Sequence, residues 1–176
     1  MPIITRNPIS MGTVSGTWTS TPTQTAANRY LSVNDFPDDV DSYIQCTALS
    51  GVLASIRFNT SNFSIPSNAT NIVLRQLYYD SVASAGTATL VSRLLLSGTF
   101  YNHPDGFHNP STTVTQRTET WSTNPATSAA WTPTAANNVT TIGFQTNDTT
   151  PNIRLYSCQW EVEYTLNARS YGFIIG

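Results

Sequence analysis

Lysine is absent from this 176-residue chain, and its eight basic residues are arginines scattered singly along it. Charged residues of both signs amount to 10%, against about 25% in an ordinary globular domain, and the formal net charge is −2. Without a basic cluster there is no positive stripe to release counterions from a phosphate backbone, which argues against nucleic acid as a partner. The same lack argues against polybasic attachment to a membrane. Long apolar runs are missing too. No stretch approaches the roughly 18 residues of a membrane span, and the opening MPIITRNPIS lacks the apolar core of a signal peptide. Cysteine is scarce: Cys46 and Cys158 stand far apart, with no CxxC pair and no zinc spacing. They read as buried thiols acting as small hydrophobes, with a long-range disulfide as the alternative. Sustained helical periodicity is also lacking.

Ser, Thr and Asn take the place of charge, giving a neutral, hydroxyl-rich surface. The length suits one domain with a core of its own. From Tyr30 onward, short apolar runs alternate with period two between turn residues. They predict strands over 43–49, 52–58, 71–82, 87–100, 112–121, 139–146 and 153–166, with ASAG as the turn joining the two long central ones. In the last run Tyr156, Cys158, Trp160, Val162 and Tyr164 share one face, while Ser157, Gln159, Glu161 and Glu163 share the other. That is a half-buried antiparallel strand. The expectation is an all-β chain folded as a two-sheet antiparallel jelly-roll-like sandwich over 30–166. An extended N-terminal arm (1–29) would precede it, and a C-terminal tail (167–176) would follow. The arm is rich in Thr, Ser and Pro with no clear period. Ile3, Ile4 and Ile9 on the arm, and Phe173, Ile174 and Ile175 on the tail, would be costly to leave bare and are expected to dock on a neighbour.

Four of the ten acidic residues, Asp35, Asp38, Asp39 and Asp41, crowd into NDFPDDVDSYI. Calcium needs several converging oxygens, which these could supply, but the spacing is not that of an EF-hand. The stronger reading is a solvated turn fixed by Pro37 and leading into a strand. Glu161 and Glu163, about 7 Å apart on one strand face, have a separation that suits a glycosidase pair. They lie on the polar face, where charges merely solvate a strand. His103 and His108 flank the turn HPDGFH; with Asp105 they could ligate zinc or copper, or simply face water. No GxSxG elbow or other catalytic constellation is visible, so the chain is read as a non-enzyme without a cofactor. Trp18, Trp121 and Trp131, with Tyr78, Tyr79, Tyr101 and Tyr171, either offer faces to sugars or partners or cover the ends of the sandwich.

Four segments in order, DDVDSYI, FNTSNFSIPSNATNIVL, PATSAAWTPTAANNVTTIGFQT and RLYSCQWEVEYT, resemble the jelly-roll virion proteins of tailed bacteriophages. These occur as capsid decoration (cement) proteins and as tail and fibre domains. The shared features are an acidic turn, the segment with Phe63, Ile65, Pro66 and Ala69, the Trp131-Thr132 pair and an aromatic closing strand, together covering roughly 30–166. The resemblance implies a structural protein made in the host cytoplasm and placed on the capsid exterior. It would bind the major capsid protein, commonly as a homotrimer. The alternative it leaves open is a carbohydrate- or receptor-binding module of a tail or fibre.

Overall fold

The computed structural model describes residues 1–36, 41–47, 53–84, 86, 88–146 and 152–167. The strands are β1 (Ile3–Arg6), β2 (Ser10–Ser15), β3 (Thr17–Thr21), β4 (Tyr43–Thr47), β5 (Ala54–Asn59), β6 (Ala69–Val82) and β7 (Leu90–Leu96). They continue with β8 (Thr99–Asn102), β9 (Thr115–Trp121), β10 (Thr123–Asn124), β11 (Ala129–Ala130), β12 (Thr141–Thr146) and β13 (Ile153–Leu166). A 3-10 helix (Ala26–Ser32) and a short α-helix, α1 (Pro133–Asn137), are the other elements among the described residues.

Two antiparallel sheets pack as a sandwich. Sheet one runs β3-β4-β13-β6-β9, with β1 also on β13; sheet two runs β2-β5-β12-β7-β8. Taken without β1–β3 and the β10–β11 ribbon, the remaining eight strands have the jelly-roll order, β4-β13-β6-β9 facing β5-β12-β7-β8. The spine is the pairing of β6 with β13, which runs from Ile153 opposite Val82 to Leu166 opposite Ala69 with register shifts between Leu155 and Ser157 and between Glu163 and Thr165. Alternation decides what each strand buries. Leu74 and Tyr78 of β6, and Cys158, Trp160 and Val162 of β13, meet Ile56, Phe58, Leu90, Leu94, Ile142 and Phe144 of the other sheet in one core. Gln76 crosses that core and donates to the carbonyl of Gly143 at 3.1 Å, tying the sheets together with a polar bond.

Residues 1–29 depart from the expected free arm. β1 pairs with β13, β2 with β5 and β3 with β4, so the segment widens both sheets. The physical reason lies in TWTST, where Trp18 points inward at 1% exposure among β-favouring threonines. One large inward side chain suffices on a sheet edge that already exists, so no apolar period shows. The expected strand 87–100 is also two. Ser97 and Gly98, both at positive φ, close a two-residue hairpin between β7 and β8. β6 and β7 belong to different sheets, so they do not form the hairpin expected around ASAG, part of which lies outside the described residues.

Candidate functional site

The residues singled out in the sequence fall in several different settings. Asp35 and Asp41 lie on the surface, whereas Asp38 and Asp39 fall outside the described residues. Among the described residues no group of three or more His, Cys, Asp or Glu is placed to hold a metal ion. Glu161 and Glu163 both grip Arg75, at 2.9 and 2.6 Å. The bond to Glu163 raises the guanidinium pKa above its ordinary value. Cys46 and Cys158 are buried free thiols. Ile3 and Ile9 are exposed and Ile4 packs against the core; Phe173, Ile174 and Ile175 lie outside the described residues, as does Tyr171.

The tryptophans do not offer faces to a ligand. Trp18, Trp121, Trp131 and Trp160 are all at most 4% exposed. Three spend their indole N–H on backbone carbonyls: Trp18 on Ser15, Trp131 on Trp121 and Trp160 on Thr141. The histidines do not both face water either. His103 is buried, its Nε2 3.1 Å from the Thr120 carbonyl and its ring edge-on to Trp121. His108 holds the fully buried Asp80 through Nε2 at 2.6 Å, and Arg117 donates to the same carboxylate. Glu119 accepts from the hydroxyls of Tyr78 and Ser92. Burial, reinforced by Glu119, drives the Tyr78 phenol well above its ordinary pKa. A cleft of about 280 Å³ opens between this cluster and the turn carrying Asp105. Both histidines also lie beside Glu119, His103 Nδ1 at 3.4 Å and His108 Nδ1 at 3.8 Å from its carboxylate, and no group of three or more such side chains is placed to hold a metal among the described residues. Chemically the cluster is a polar tie across the sandwich edge, joining β6 and β9 to β7 and the 103–108 turn.

The outer face of the second sheet carries a different arrangement. Gly143 of β12 lies directly between Arg57 of β5 and Arg93 of β7. A glycine there leaves the face bare, and a Cβ would stand 3.2 Å from the Arg93 carbonyl oxygen. Both guanidinium groups reach for one ring: the Cζ of Arg93 is 4.5 Å from the Phe100 centroid and that of Arg57 is 5.6 Å away. Arg57 donates to Thr13 Oγ1 at 2.7 Å, and Gly12 makes room for it, since a Cβ there would meet Arg57 Nε at 2.6 Å. Phe100 is 40% exposed. A hollow of about 50 Å³ remains, lined by Thr13, Ser55, Arg57, Arg93, Phe100 and Gly143, with Ile56 and Phe144 below. Sequence reasoning passed over these residues. The available signal was a set of strands, SMGTVS, ASIRFN, LVSRLLL, TFYN and TIGFQT, with arginines but not one carboxylate.

No family model matches the chain, and no curated protein matches it. Among solved structures it is similar to the CBM22-1 xylan-binding domain from Paenibacillus barcinonensis Xyn10C, with 6% identity over 92% of this chain and 88% of that one and a TM-score of 0.46. It is also similar to a family 11 carbohydrate-binding module from Clostridium thermocellum, with 9% identity over 88% and 87% and a TM-score of 0.44. A third is the N-terminal cellulose-binding domain of Cellulomonas fimi β-1,4-glucanase C, with 16% identity over 86% and 89% and a TM-score of 0.39. All three TM-scores lie below 0.5, so what can be said of function rests on this chain's own residues.

Proposed function

We propose that the chain is a non-catalytic binding module that holds a saccharide chain across the outer face of the second sheet. The observation that carries this reading is the groove over Gly143, where an exposed aromatic ring stands beside hydroxyls and guanidinium donors on a rigid strand platform. A sugar presents an apolar ring face to an aromatic and hydroxyls to convergent polar groups, and that pairing is what the groove supplies. The carboxylates that could have done acid–base chemistry are engaged elsewhere: Glu161 and Glu163 with Arg75, Asp80 with Arg117 and His108. Affinity electrophoresis against a polysaccharide panel tests the reading. Retardation by at least one polysaccharide is expected, and Phe100→Ala should weaken it about tenfold without moving the thermal midpoint. A wild-type chain that passes every gel unretarded overturns it.

A second reading, attachment to the major capsid protein of a phage as a homotrimeric decoration protein, draws on Ile3 and Ile9. Both are 56% exposed on the N-terminal segment and would gain from being covered by a partner. Cosedimentation with undecorated capsids should then be strong for the wild type and lost in an Ile3→Ser, Ile9→Ser variant. Equal cosedimentation of the two would remove that reading.

A further inference from the structure

Two arginines of sheet one have carboxylate partners, while Arg6 and Arg154 of that sheet donate to neutral oxygens. In sheet one Arg75 sits between Glu161 and Glu163, and Arg117 sits on Asp80. The five strands of sheet two contain no Asp or Glu, so Arg57 and Arg93 are a local charge of +2 on a chain whose total is −2. Among the described residues neither forms an ion pair, and the Nε of each is enclosed without a hydrogen-bond partner. Burial lowers the Arg93 pKa from its ordinary value, with no carboxylate opposing that shift. Each guanidinium gains little from stacking on the half-exposed Phe100 ring, and two cations drawn to one ring repel each other. An anion placed between them removes that repulsion and supplies charge-assisted hydrogen bonds. The hollow above Gly143 has the right size for one: about 50 Å³ is room for one or two waters, hence for a carboxylate or sulfate group but not for a sugar ring.

We propose that the groove recognises an acidic saccharide: the oxyanion of one sugar unit, a uronate carboxylate or a sulfate ester, enters the hollow over Gly143 between Arg57 and Arg93. The ring of that sugar lies outside it, against the exposed part of Phe100. This rests on the saccharide reading above and adds the charge of the ligand to it.

Isothermal titration of the full chain tests the proposal with polygalacturonate, its fully methyl-esterified form, a sulfated galactan, its desulfated form and polyglutamate. At least one acidic polysaccharide should bind about tenfold tighter than its neutralised counterpart. Arg57→Gln and Arg93→Gln should each remove most of that preference, while Arg93→Lys keeps part of it by retaining charge without the planar fork. Arg154→Gln, on the other sheet, should change nothing. The acidic arm that binds tells uronate from sulfate. Equal affinity for acidic and neutralised forms overturns the acidic ligand and leaves the saccharide module standing. No binding of any polysaccharide removes the module itself. Equal loss in Arg57→Gln and Arg154→Gln, or tighter binding of polyglutamate than of any sugar, also overturns the proposal.

Discussion

The Cys46 thiol lies opposite Trp18 across β3 and β4, and burial pushes its pKa up to about 11 from an ordinary 9.0. Cys158, deeper still, is also raised well above its ordinary value by burial, with Asp35 adding to it. In both cases the folded state holds the proton more tightly than the unfolded chain does. Between pH 9 and 11 the unfolded chain has lost the Cys46 proton while the folded one retains it, so the sign is that stability falls as pH rises. Below pH 9 the contribution is fully present. Urea melts across that window should show wild-type stability falling more steeply than in Cys46→Ala, by up to about 1.4 kcal/mol per pH unit. Parallel slopes would show that this thiol does not couple to folding. Gly143 illustrates the same dependence on surroundings. It is unremarkable in TIGFQT and becomes informative only once Arg57 and Arg93 are known to flank it.

Short elements here are held by specific bonds as much as by burial. Helix α1 has Thr132 as its N-cap, accepting from the Ala135 N–H, and Pro133 in its first turn. From its end Asn137 reaches 72 residues back: its amide donates to the Ile65 carbonyl at 3.0 Å and its side-chain oxygen accepts the Ile65 N–H at 2.7 Å. Two segments that carried the phage resemblance, the one with Phe63, Ile65 and Pro66 and the one after Trp131, are therefore two halves of one joint. Asn137→Ala should cost about 1–3 kcal/mol in chemical denaturation, because it leaves both backbone groups of Ile65 without their partner. A loss below about 0.5 kcal/mol would show that water replaces the amide. The same contrast explains what was legible beforehand. Whereas β9 (TQRTETW) contributes Trp121 alone, strands β4–β7, β12 and β13 announced themselves because several apolar residues line the core side of each. β3 did not, since Trp18 is its one large inward residue. The groove was illegible for a related reason: Arg57, Arg93 and Phe100 come from three separate strands, brought together by the registers of β12 with β5 and β7 and of β7 with β8.

At the scale of the whole molecule, residues 1–21 bear on both sheets at once. Met11 and Val14 of β2 and Ile4 of β1 pack against the core, and Trp18 is part of it. A chain lacking residues 1–21 should show a thermal midpoint lower by ten degrees or more, since losing Trp18 alone is worth about 3–5 kcal/mol. An unchanged midpoint would mean that the jelly roll stands without its added edges. The position of β13 has a consequence for how the molecule comes into being. This strand is the one on which β4, β6 and β1 all pair, yet it is synthesised after every one of them. Until Ile153–Leu166 leaves the ribosome, β4 and β6 have an empty lane between them, and Leu74, Tyr78 and Ile44 can pair on one side only, with β9 or β3. Assembly of the sandwich is thereby deferred until this strand has been made. Throughout that interval the nascent chain carries open β-edges, the state in which one copy is most prone to pair with another in place of itself.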